Sequence, residues 1–216
     1  AQCASSCAPG SLRVVIEPRQ YDGPVCDLSS ATCACVEGFG DRLGSVSRQA
    51  DMSLLNGRPI VASFDPDFQD LVLIEGLDTD TPIHTYLDGL PGSEAASVTP
   101  TPSRQGLTQP GPRRGYYPQL EVDGRGRVHL AYYDGDAGTL RYLRREEDGS
   151  WVGPIVVDEA GDAGRYVRLR VDEDGQSHLV YSAFDGNGGQ SSLRYALGSN
   201  ASVGPQNFSI HTISSR

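Results

Sequence analysis

The chain has 216 residues, a formal net charge of -10 and no lysine, every cation among its 18 basic residues being arginine. So acidic a chain is repelled by phosphate backbones, which argues against a nucleic-acid partner and leaves cationic ligands and metal ions open. No stretch approaches the ~20 apolar residues of a membrane-spanning helix, and the length suits a single domain with a core of its own.

Residues 1–43 form a Cys-rich segment. All five cysteines, Cys3, Cys7, Cys26, Cys33 and Cys35, lie within it. Clustered cysteines in a loop-rich stretch predict disulfide staples and hence an oxidising compartment. Zinc is the rival, but no C-x-x-C pair or nearby histidine is present, and Cys33-Ala-Cys35 is tight for ligand spacing. Five is odd, so at least one thiol is free or bonded to another chain. The start at Ala1-Gln2-Cys3 reads as already processed. Within the segment, Leu12 to Ile16 reads as one lone outer strand.

From residue 44 to 216 the chain reads as three repeats. In the first (44–90), Gly57-Arg-Pro-Ile-Val-Ala-Ser-Phe-Asp65 and Leu71-Val-Leu73 are strands, and Ile83 to Leu87 is the fourth. A Pro/Ser/Thr-rich insertion, 89–112, follows and is a loop by composition. The second repeat (113–160) is the clearest. Val128, Leu130 and Tyr132 alternate with Arg127, His129 and Ala131 at the two-residue strand period, and Asp-Gly turns separate four β-rich runs. Shifting by 49 residues maps Gly115, Tyr117, Leu120, His129 and Tyr132 onto Gly164, Tyr166, Leu169, His178 and Tyr181 of the third repeat (162–213). Beyond a longer second turn the shift becomes 53, so that Leu140-Arg-Tyr142 meets Leu193-Arg-Tyr195.

Four-stranded units recurring at roughly 50 residues are the signature of a β-propeller, with a β-sandwich or β-helix as the alternative use of the same hairpins. The fold class is therefore all-β, with about three propeller-like antiparallel blades and a disulfide-stapled N-terminal segment. The Val122-Asp-Gly…His129…Tyr-Tyr-Asp134 hairpin, Leu140-Arg-Tyr142 and the strand led by Trp151 resemble blades of secreted bacterial β-propeller repeat proteins of the kelch or lectin type. His129 to Tyr133 with Asp148-Gly-Ser-Trp151 is also similar to the blade of fucose-binding propeller lectins. That likeness implies a carbohydrate ligand. It does not imply fucose, because the sugar-binding arginine and glutamate of those lectins have no counterpart here. Three blades are fewer than the four to eight that close a propeller, so another chain or further blades are expected to complete it.

Site residues follow from the same frame. Asp65, Asp134 and Asp185 end the second strands, where a ring of carboxylates would bind calcium through oxygen. The alternative is that they cap their own tight turns. His129 and His178 read as a repeated packing position in preference to a metal pair. Tyr117 and Tyr166, with Arg114 and Arg165, open the first strands at the channel mouth. Aromatic faces stack on sugars and arginines fork onto carboxylates, so these four are the expected ligand-binding residues. Local context suggests no Ser-His-Asp or Cys-His arrangement, though propeller sites draw single residues from separate blades, and the sialidase-type Asp-box turn is absent. The sequence thus points to a secreted, periplasmic or surface protein that acts by adhesion, recognition or assembly. The alternatives are a carbohydrate-active hydrolase or lyase at the mouth, and a structural subunit of a surface filament or complex.

Overall fold

The computed structural model describes residues 49–92, 100–104, 106–185, 190–199 and 207–215. The five cysteines and the strand expected at Leu12 to Ile16 lie outside them. Among the described residues, twelve strands make three antiparallel four-stranded meanders. Sheet I holds β1 (Ala50–Leu55), β2 (Arg58–Asp65), β3 (Asp70–Glu75) and β4 (Ile83–Asp88). Sheet II holds β5 (Arg114–Val122), β6 (Val128–Asp134), β7 (Thr139–Arg145) and β8 (Trp151–Asp158). Sheet III holds β9 (Asp162–Val171), β10 (Ser177–Phe184), β11 (Ser191–Gly198) and β12 (Phe208–Ser215). The arrangement is propeller-like, and sheets II and III coincide with the two best-matched repeats.

Local chemistry sets the hairpins. Asn56 and Gly57 both have positive φ (52° and 78°), the mirror-image turn that matches strand twist and that Asn-Gly favours. At the β5–β6 turn the Asp123 carboxylate accepts from the Arg125 and Arg127 amides, both at 2.9 Å. Asp172 does the same for Gln176 at 2.8 Å in sheet III.

The sheets stack in sequence, and the first strand of each packs across the first three strands of the sheet before it. One core joins Ile60, Ala62, Leu71 and Leu73 of sheet I to Leu120, Leu130, Tyr132 and Leu143 of sheet II. A second joins Ala131, Leu140 and Tyr142 to Val167, Leu169, Leu179 and Tyr181. Sheet II is therefore covered on both faces, and every residue of β6 is buried. In β10 burial alternates strictly, as expected of a sheet covered on one side.

Two glycines allow this close approach. Gly115 (φ 113°) and Gly164 (φ 112°) lie against Leu71 and Leu140, and an added Cβ would come within 2.9 and 2.8 Å of those residues. Both the backbone conformation and the space demand glycine.

The insertion is more than a loop. Thr101 exchanges two backbone hydrogen bonds with Tyr86 on the edge of β4, at 2.8 and 3.0 Å. Arg104 is fully buried, ion-paired with Asp70 and stacked 4.1 Å from the Phe68 ring. Its Nε and terminal nitrogen donate to the Leu107 and Gln109 carbonyls. Leu90 packs with Val72, Ile74 and Tyr86 on the outer part of the free face of sheet I.

Candidate functional site

The start of each first strand and the end of each second strand meet at one end of the sheets, and there an aromatic array crosses all three. Phe64 stacks on Tyr116 with centroids 4.2 Å apart. Tyr116 and Tyr117 each lie within 6.4 Å of the Tyr133 ring, and Tyr117 reaches Tyr166 at 4.6 Å. Tyr117 and Tyr166 both occupy the left-handed region (φ 53° and 57°), two residues after the close-packed glycines. Non-glycine residues pay for that conformation, of order 1–3 kcal/mol each, so a repeated pair of them marks a place where side-chain direction matters. Tyr166 is 59% exposed and forms the open end of the array.

Beside it sits a compact polar group. The Asp162 carboxylate accepts from the Tyr133 hydroxyl at 2.6 Å and from Arg165 at 3.0 and 2.7 Å. The Arg165 guanidinium lies 5.3 Å from the Tyr133 ring and 5.8 Å from that of Phe184. Burial would raise the Asp162 pKa, but Arg165 and Tyr133 outweigh it and hold the carboxyl below its usual range. Burial, and then the Asp162 carboxylate, push the Tyr133 phenol up to about 12. At neutral pH the group is thus Asp⁻, Arg⁺ and a neutral phenol, with its charges balanced.

Of the four expected ligand residues, Tyr117, Tyr166 and Arg165 come together here. Arg114 does not. It is 6% exposed, and its guanidinium bridges Asp88 and Asp134, each at 3.0 Å, inside the junction of sheets I and II. The bulge after Gly115 turns the tyrosines to the mouth and leaves Arg114 facing inward.

The three aspartates part company as well. Asp65 Oδ1 accepts from the Asp67 and Phe68 amides, and Asp134 Oδ1 from those of Asp136 and Ala137, as turn caps do. The other oxygen of Asp134 faces Arg114 and Arg141. Asp185 is exposed and lies past the end of β10. Because Tyr132 pairs with Arg141 and Tyr181 with Arg194, the true counterpart of Asp134 in sheet III is Ala183. The longer turn, not the strand, carries the extra residues. Among the described residues no three His, Cys, Asp or Glu side chains converge as a metal site.

His129 is buried between three partners: Asp123 at 3.1 Å from Nε2, and Tyr142 and Ser177 at 2.5 and 3.3 Å from Nδ1. Burial pulls its pKa down to about 4, so the neutral ring donates from Nε2 to Asp123 and accepts at Nδ1 from Tyr142. His178 repeats the arrangement with Asp172 (3.0 Å) and Tyr195 (2.8 Å) on the open face of sheet III.

Two groups escape the repeat pattern in sequence. Asp162 replaces Arg113, with the opposite charge, at an equivalent position. Asp88 and Asp158 end the fourth strands and tie consecutive sheets together. Asp88 accepts from Tyr132 (2.6 Å) and Arg114, and Asp158 from Tyr181 (2.7 Å) and Arg194 (2.8 Å). An aspartate closing a fourth strand in two units was the legible signal. Neither a scan against protein-family models nor a search of curated proteins finds a match for the chain.

Proposed function

We propose that the chain is part of an exported β-propeller that acts by binding, and that its ligand is a neutral saccharide held at the aromatic mouth. The observation that carries this reading is the exposed Tyr166 face, packed 4.6 Å from the Tyr117 ring beside a charge-balanced Asp162–Arg165–Tyr133 group. A flat aromatic surface takes the apolar face of a sugar ring. A fixed carboxylate and guanidinium side by side offer both acceptors and donors to hydroxyl groups. A carboxylate ligand would need an uncompensated cation, and Arg165 already carries Asp162 in a molecule of net charge -10. Uronates and sialic acids are therefore disfavoured.

Calorimetric titration with neutral, uronate-bearing and sialylated oligosaccharides tests the reading. Neutral sugars bind, Tyr166→Ala and Arg165→Ala each weaken them roughly tenfold (about 1.4 kcal/mol), and acidic sugars bind less. Preference for acidic sugars, or binding indifferent to both substitutions, overturns it. Turnover of the oligosaccharides without stable binding would favour the hydrolase or lyase alternative.

A further inference from the structure

We infer that the open face of sheet III and strand β1 of sheet I are the two halves of one more sheet junction, formed between two copies of this chain arranged head to tail. The two internal junctions define what such a contact looks like. Each is made mainly by the first strand of the following sheet against the first three strands of the preceding one. In sheets II and III the first strand contributes Leu120 and Val122, or Leu169 and Val171, to the core. The ladder register places Met52 and Leu54 at those positions in sheet I, since Met52 pairs with Val61 as Leu120 pairs with Leu130. Met52 and Leu54 are 57% and 56% exposed.

The preceding side of the junction shows the same contrast. Leu71 and Leu140, which receive Gly115 and Gly164, are both fully buried, and their counterpart Leu193 is 40% exposed. The Asp172–His178–Tyr195 chain on the open face of sheet III reproduces Asp123–His129–Tyr142, which sheet III covers in sheet II. Met52, Leu54 and Leu193 are thus exposed at the places where the internal junctions bury their counterparts.

The differences between the faces identify the occupant. At internal junctions an aspartate ending the fourth strand (Asp88, Asp158) receives a tyrosine and an arginine of the next sheet. In sheet III the residue paired with Leu193 at that place is Ser214. A partner presenting Tyr and Arg there would bury an arginine without its carboxylate, which is costly. Sheet I has Ser63 and Val72 at the Tyr132 and Arg141 positions, so it needs no carboxylate. The clamp is absent from both faces together. Leu90 packs on Val72, Ile74 and Tyr86 with Val61 of β2 at the margin, and Met52 and Leu54 of β1 stay exposed beside that cluster. The described sheets of two copies number six, within the four to eight that close a ring.

Light scattering on the chain over a concentration series, with and without reductant, measures the outcome. The expected result is a species of twice 23.1 kDa that survives reduction. Leu54→Asp and Leu193→Asp each dissociate it, with Kd raised at least tenfold. Mixing the two variants restores a dimer, because one of the two junctions in the mixed pair is then intact. A monomer at all concentrations, a dimer lost on reduction, or variants that fail to complement each other would overturn the inference. The unmodified protein decides the first two points even if a variant does not fold.

Discussion

At the junction of sheets I and II, Asp88 is surrounded by Tyr132, Arg114 and Arg141, and Arg114 also pairs with the buried Asp134. At the junction of sheets II and III, Asp158 accepts from Tyr181 and Arg194 of the next sheet, and Ala163 and Ala183 stand where Arg114 and Asp134 would be. The rest of the contrast runs the other way. Ile60, Leu73 and Val128 fill the first junction with methyl groups at the places where the second has His129, Tyr142 and Ser177. A buried ion pair and a pair of methyls are interchangeable fillings of one site, provided both partners change together, because a single buried charge left alone is what costs most. Polar and apolar contents have been exchanged between two junctions without altering the glycine contact or the aspartate clamp.

The largest effect should come from breaking that balance on one side only. Arg114→Ala leaves Asp88 and Asp134 with less compensation and should lower stability by about 3–5 kcal/mol in urea unfolding. Adding Asp134→Ala copies the sheet III arrangement and should recover at least half of the loss. A double variant no better than the single would sink the idea that the fillings are equivalent.

Acid should separate the junctions next. His129 has a folded pKa of about 4 against an ordinary value near 6.5, so the unfolded chain binds the proton first as pH falls. The stability held in the neutral ring is complete above about pH 6.5 and is lost progressively down to about pH 4, at most ~3 kcal/mol. Urea midpoints between pH 4.5 and 7.5 measure that slope, and His129→Leu should flatten it. If the slope is unchanged in His129→Leu, the titrating group lies elsewhere.

The smallest difference is expected at the shared clamp. Tyr132→Phe and Tyr181→Phe each remove a hydrogen bond to a carboxylate and should cost about 2 kcal/mol apiece. Similar losses would mark the clamp as common to both junctions, and a much larger loss at Tyr132 would mean that the surrounding arginines depend on it.

Much of this was legible in the chain. Asp-Gly turns and the two-residue alternation of β6 give the strands their limits, because a turn needs residues that tolerate positive φ and a pleat shows alternate faces. Tyr117, Tyr166 and Arg165 were readable as neighbours from their equivalent places in adjacent repeats. Arg114 was not, since a bulge separates it from Tyr117 by a change of direction that spacing does not record. Asp185 was misaligned for a related reason: counting from the turn put it beside Asp134, whereas hydrogen-bond register assigns that place to Ala183. Arg104 lay in a segment whose composition says only loop, and its burial against Asp70 depends on a contact across 34 residues.

The sequence by itself determined the repeating unit, its four strands and the placing of tyrosines at the strand starts. These are local properties, written in turn chemistry and period. Tertiary structure alone decided which charges are buried, which aspartates cap turns and which join sheets, and which tyrosine is left open. Those outcomes depend on what one sheet brings against the next, and a change of one residue in register reverses the face a side chain occupies.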